Sequence, residues 1–173
     1  MIICTRALTI VLMLLLAACS SLTQQTLPEP QPSSNNQAVR DSLVELSKKI
    51  KALCDQAEYS VYFTKTFCTP IDSTPAMMTD MRKINRAEKA ALQAWAPVYD
   101  KLATEMNSLL GSTSTVNKRM ADYNETVTVP AAQKNRQALY EGRITWGEYN
   151  RKRRQISDDI AEESRRLAQP DKD

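Results

Sequence analysis

The sequence predicts an all-α protein, an elongated antiparallel bundle of four to five helices. Three observations carry this reading. Apolar residues return at steps of three and four along most of the chain beyond position 38. Only three glycines occur among 173 residues. The composition leans on Ala, Leu, Lys, Arg, Glu and Gln, which lose little on entering a helix.

The first helix is predicted near 36–64. Val39, Leu43, Leu46, Ile50, Leu53, Ala57 and Val61 form one face, and Arg40, Glu45, Lys48, Lys49 and Lys51 the other. The stretch TFCTPIDSTPAMM, with two prolines and several hydroxyls, then reads as a loop. Thr74 before Pro75 is a good helix start, and a second long helix is predicted near 75–110. Its apolar face is Met78, Met81, Ile84, Ala91, Trp95, Val98, Leu102, Met106 and Leu109. Pro97 falls inside it and should bend the helix without ending it, and Gly111 is the natural stop. At 1.5 Å per residue, a helix of about thirty-five residues spans roughly 50 Å, hence an elongated bundle.

Ser112 to Thr115 can cap a third helix, with Val116, Met120 and Tyr123 facing inward. The run TVTVP predicts an interruption at Val129, since Pro130 disfavours helix in the residue before it. A shorter helix over 131–141 follows, closed by Gly142. The last helix is predicted near 146–168. Thr145 and Glu148 form a capping box, and Ile144 and Tyr149 a hydrophobic staple. This helix buries Trp146, Tyr149, Ile156, Ile160 and Leu167, with Glu148–Lys152 and Glu162–Arg166 pairs outside. Leu139, Gly142, Ile144, Thr145, Glu148, Tyr149, Arg153 and Ile156 resemble in type and spacing the SHOCT-type short C-terminal helical hairpin. That resemblance implies a role in self-association.

The amino terminus has a different character. MIICTRALTIVLMLLLAAC places Arg6 before an apolar run from Ala7 to Ala18. Such a run, about twelve residues against the roughly twenty needed to span a bilayer, reads as a signal segment over 1–18. Leu16-Ala17-Ala18-Cys19 is similar to the lipobox of bacterial lipoproteins. The resemblance implies cleavage before Cys19, diacylglyceryl attachment to its sulfur and acylation of the new amino terminus, typically with palmitate. Ser20, where an aspartate would favour inner-membrane retention, implies an outer-membrane anchor facing the periplasm. Residues 19–37, polar and proline-bearing, read as the lipidated cysteine and a disordered tether, 38–169 as the helical domain and 170–173 as a disordered tail.

Cys54 and Cys68 remain as an even pair in an oxidising compartment, and a disulfide is expected, the alternative being two reduced, buried thiols. A closed loop of about fifteen residues would contribute roughly 3 kcal/mol. The chain has no histidine and no C-x-x-C, so no metal site, redox pair or Ser-His-Asp arrangement is predicted. Thr115 and Lys118 sit at a helix start, where capping explains the threonine. Asp158-Asp159 and Glu162-Glu163 lie on a surface helix, with nothing to mark a hydrolase acid. No catalytic residue and no cofactor is assigned.

Two stretches can carry binding. EYSVYFTKTF brings Tyr59, Tyr62, Phe63 and Phe67 beside the cysteine pair, either as the cap of the bundle or as a partner-binding surface. Arg151, Lys152 and Arg154, in the run RKRR, form either a solvated face or a contact with an anionic surface. Met77, Met78 and Met81 are core filling or an adaptable groove. The balance of charge is too slight to point to nucleic acid. The expected function is therefore non-enzymatic: a lipid-anchored accessory or adaptor subunit binding another envelope component. The alternative is a structural lipoprotein that binds cell wall or lipopolysaccharide.

Overall fold

The computed structural model describes residues 34–169. Cys19, the predicted signal segment, most of the predicted tether and the tail 170–173 lie outside the described residues. The described chain is an all-α bundle without a strand: α1 Ser34–Cys54, α2 Ser60–Phe63, α3 Pro75–Met78, α4 Arg86–Gly111, α5 Thr115–Tyr123, α6 Val129–Tyr140 and α7 Trp146–Leu167. Helix α1 takes in Ser34–Gln37, which the sequence assigned to the tether. Among the described residues no helix is long and apolar enough to cross a membrane.

Both long predicted helices are shorter than their apolar spacing suggested. Helix α1 stops at Cys54, and Gln56 is extended at φ −71° and ψ 132°. The chain then re-enters through a 3-10 turn at Ala57–Tyr59 and α2. The break lets Tyr59 and Tyr62 turn into the core and lets Cys68 come back beside Cys54. The second predicted helix divides likewise. Thr74 caps only the single turn of α3, and the long helix begins at a second start, Asn85. There the Asn85 side chain accepts from the Glu88 N–H at 3.0 Å, while the Glu88 carboxylate accepts from the Asn85 N–H at 2.8 Å. These reciprocal bonds satisfy donors that a helix start otherwise strands. Helix α4 runs through Pro97.

The predicted interruption at Val129 takes another form. Asn124–Thr128 is a π-helical turn that joins α5 to α6 without a gap. Val129 N–H bonds to the Asn124 carbonyl, five residues back. The widened turn accommodates Pro130, which has no N–H to give and whose ring would crowd an ordinary α ladder. The pairs Asn107–Asn124, Asp100–Arg136 and Gln93–Tyr140 show α4 running antiparallel to this continuous helix.

Helix α6 ends as predicted. Gly142, at φ +72°, is the one residue with positive φ among those described. Arg143 N–H bonds to the Ala138 carbonyl at 2.9 Å and Gly142 N–H to Leu139 at 2.8 Å, the paired pattern of a Schellman stop. The Thr145–Glu148 capping box forms as the sequence indicated. The first turn of α7 then docks on residues 80–82: Trp146 N–H donates to the Arg82 carbonyl at 3.0 Å and Gly147 N–H to that of Asp80 at 2.8 Å. Leu53, Tyr59, Tyr62, Ile84, Leu92, Trp95, Leu139, Trp146 and Tyr149 form the core. Burying one such large side chain contributes about 1.5–3 kcal/mol.

Candidate functional site

Tyr62 lies at the centre of the core, with no exposed surface. Its ring centroid is 5.4 Å from that of Trp95, 5.6 Å from Trp146 and 5.0 Å from Phe63. Its hydroxyl meets the Tyr149 hydroxyl at 2.5 Å. Burial, reinforced by the nearby Tyr149, pushes the Tyr62 phenol well above its usual value near 10. Tyr59 is buried as well, and Phe63 is half-buried against the cluster. Tyr59 and Tyr62, predicted as partner contacts, are therefore interior residues. Rings of this size are worth more inside an aromatic cluster than in water, and the break after Cys54 aims them there. Of the four predicted contacts only Phe67 is exposed, and Ile71, four residues on, is more so.

Phe67 and Ile71 belong to the segment between α2 and α3, which is held at several points. Cys54 and Cys68 are placed as a disulfide-compatible pair, their Cα atoms 5.8 Å apart. That separation suits a disulfide. The other points come from α7. Asn150 donates to the Lys65 carbonyl at 2.9 Å and to Met77 at 3.1 Å. Arg153 donates to Thr66 Oγ1, to the Phe67 carbonyl at 2.6 Å and to the Cys68 carbonyl at 2.9 Å. Arg154 reaches the Ile71 carbonyl at 3.0 Å and Asp158 at 3.1 Å, and Arg151 donates to the Met78 carbonyl. The arginines of the RKRR run thus grip the protein's own backbone. Lys152 alone in the run makes no hydrogen bond among the described residues and is exposed.

A second polar group supports this arrangement from behind. Glu88 is only 3% exposed, and its carboxylate accepts from Trp146 Nε1 at 3.1 Å. Lys65 Nζ stands 3.9 Å from both Glu88 and Asp80. Asp80 pairs with Arg82 at 2.5 Å, and chiefly that hydrogen bond pulls its carboxyl down to about 2. The group ties the start of α4, the start of α7 and the segment after α2 together.

Beside the clamp is a recess of about 220 Å³, bounded by Cys68 and Pro70, by α4, by the π turn with α6, and by α7. Trp95, Tyr99, Arg136, Tyr149 and Arg153 face it, and no carboxylate lines it. Trp95 stacks on Tyr99 at 4.7 Å between centroids, and burial raises the Tyr99 phenol. The Trp95 indole N–H is buried and has no acceptor among the described residues. Arg136 is held by Asp100 at 2.6 Å. A second, more apolar recess of about 270 Å³ adjoins, sharing Tyr99, Ala132, Arg136 and Ile160 and adding Ile50, Met106, Leu110 and Val129.

Such a site can hold a ligand or present a surface. Among the described residues no cluster of three or more His, Cys, Asp or Glu is placed to hold a metal. Sequence reasoning gave no site role to Arg153, Arg136, Trp95 or Glu88. Only the N-x-x-E spacing at Asn85–Glu88 carried a readable signal. No protein-family model, no curated protein and no solved structure matches the chain.

Proposed function

We propose that the protein is a non-enzymatic, lipid-anchored adaptor of the bacterial envelope, tied to the outer membrane through Cys19 and facing the periplasm. Its helical bundle presents the segment around Phe67 and Ile71 to another envelope protein. The observation that carries this reading is the clamped segment itself. Phe67 is 38% and Ile71 56% exposed, on backbone fixed by Arg153 and Arg154. Apolar side chains held rigidly on the surface lose little entropy on docking, which favours recognition. The tether would confine this surface near the membrane and raise its effective concentration for a membrane-embedded partner.

A structural lipoprotein bound to lipopolysaccharide or cell wall is the second reading. The exposed, unpaired Lys152 favours it, while Arg151, Arg153 and Arg154 spend hydrogen bonds on the protein itself.

Cross-linking in intact cells tests the adaptor reading, with wild type set against the double variant Phe67→Asp, Ile71→Asp. Recovery of one envelope protein by wild type, and its loss in the variant, is the expected result. Recovery of wall fragments alone, or equal capture by both chains, would overturn it. Cys19→Ser should abolish acyl labelling, and persistent labelling would remove the anchor from the reading.

A further inference from the structure

We propose that α1 is a hinged arm, and that reduction of the Cys54–Cys68 bond by a dithiol frees it from the bundle. The two sides of that bond are held very differently. On the Cys68 side the backbone is gripped from α7. Asn150 donates to the Lys65 carbonyl at 2.9 Å, Arg153 to those of Phe67 at 2.6 Å and Cys68 at 2.9 Å, and Arg154 to that of Ile71 at 3.0 Å. On the Cys54 side, among the described residues, no side-chain hydrogen bond or ion pair joins α1 to another element. Its polar side chains bond within the helix, as Gln37 does to Asp41, Ser42 to the Ala38 carbonyl and Lys48 to Glu45. Its seat, chiefly on α4, is apolar and thin. From Gln37 to Cys54 only Leu46, Leu53 and Cys54 are buried, and Val39, Leu43 and Ile50 are half-buried. Two of the three buried residues stand at the carboxyl end of the helix, at the bond itself. An element with so few buried contacts opens locally at a fraction of the cost of global unfolding.

Gln56, extended between α1 and the 3-10 turn, is the pivot, and the buried Tyr59 fixes the chain beyond it. A few residues that absorb a change of backbone angle suffice for a hinge. Cys68 is half-buried and borders the recess of about 220 Å³, while Cys54 is buried, so a thiolate of the dithiol attacks the Cys68 sulfur. The bond between the two cysteines breaks, and Cys54 leaves as a thiolate that takes a proton. The second sulfur of the dithiol then displaces Cys68 from the mixed disulfide. Two electrons have passed to the protein, which holds two thiols, and the dithiol departs as its own disulfide. Afterwards α1 keeps only its apolar seat, while the Cys68 side keeps every grip from α7. Reduction therefore moves α1 and leaves Phe67 and Ile71 in place, so this inference stands apart from the adaptor reading.

The test is amide hydrogen exchange of the purified full chain, with and without dithiothreitol as the dithiol. Alkylation and mass analysis count the thiols formed. Exchange over residues 38–52 should quicken at least about tenfold on reduction, as the loss of a cross-link at a weakly seated helix requires. Exchange over 65–72 and over the α4 and α7 cores should change less than about threefold, because their own contacts remain. The double variant Cys54→Ser, Cys68→Ser should show the fast α1 without dithiothreitol and no further change with it. Circular dichroism shows whether that variant folds, and the wild-type comparison stands whether or not it does. A bond that resists dithiothreitol, an α1 that exchanges at the same rate once both thiols are counted, or quickening spread equally over the whole chain would overturn the proposal.

Discussion

The hydroxyls of Tyr62 and Tyr149 meet at 2.5 Å although the two residues stand 87 positions apart. Each is the other's partner in a space closed to water. Tyr62→Phe keeps the ring and strands the Tyr149 hydroxyl, so a loss of about 1–2 kcal/mol in urea unfolding is expected. Tyr62→Ala removes a core ring and should cost about 3–5 kcal/mol. Loss of a partner on that second substitution would report unfolding rather than a lost contact.

Glu88 joins two helix starts. Glu88→Ala leaves Trp146 Nε1 and Asn85 N–H without acceptors and takes one of two nearby carboxylates from Lys65. Breaking a buried charged group in this way should cost about 3–5 kcal/mol. A double-mutant cycle with Trp146→Phe should show coupling of at least about 0.5 kcal/mol.

Gly147 lies directly against the backbone of Met78 and Asp80. A Cβ there would lie 2.7 Å from the Met78 carbonyl oxygen and 3.1 Å from both the N and O of Asp80. Gly147→Ala must push residues 78–80 away from α7, at a cost of about 1–3 kcal/mol. Chemical denaturation of this variant would measure the loss, and an unchanged midpoint would contradict the close approach.

Stability should fall toward both extremes of pH. Asp80 is depressed from 3.8 to about 2, so its contribution is full above about pH 4 and fades as pH drops through the folded value. With Arg82 mostly exposed, screening holds that contribution to about 1 kcal/mol. Tyr62 titrates in the opposite sense. Its raised phenol keeps its proton in the fold, so stability declines as pH climbs past about 10. Asp80→Asn should weaken the acid limb, and Tyr62→Phe should weaken the alkaline one, which the raised Tyr99 phenol shares, in denaturation midpoints read from pH 2 to 11.

Replacing Cys54 and Cys68 together by alanine should lower stability by about 2–4 kcal/mol. The same substitution should leave the arginine contacts from α7 in place, so amide exchange at residues 65–72 should quicken less than a full release of the segment would produce.

The helical class and several boundaries were legible because they rest on local chemistry. The Thr145–Glu148 box, the Gly142 stop and the Cys54–Cys68 pairing all depend on neighbours in sequence or on simple counting. The breaks after Cys54 and Met78 were not legible from periodicity, because Ala57, Val61, Met81 and Ile84 keep helical spacing while the backbone departs from it. The first break turns Tyr59 and Tyr62 into the core, and at the second the Trp146 and Gly147 N–H groups take the Arg82 and Asp80 carbonyls. Arginine roles were hidden for a related reason. Carbonyls of residues 67, 68, 71 and 78 carry no side-chain signature, so a basic run that binds them reads in the sequence as a solvated face. The interruption predicted at Pro130 was right in its cause and wrong in its form, since a π turn absorbed the proline.

The clamp on residues 65–78 has an evolutionary consequence. Arg151, Arg153 and Arg154 hold mainly carbonyl oxygens, which every amino acid supplies alike. Substitutions at Phe67 or Ile71 therefore leave those grips intact. The outward face of the segment can change its chemistry while the frame beneath stays fixed, much as a type-holder accepts any letter.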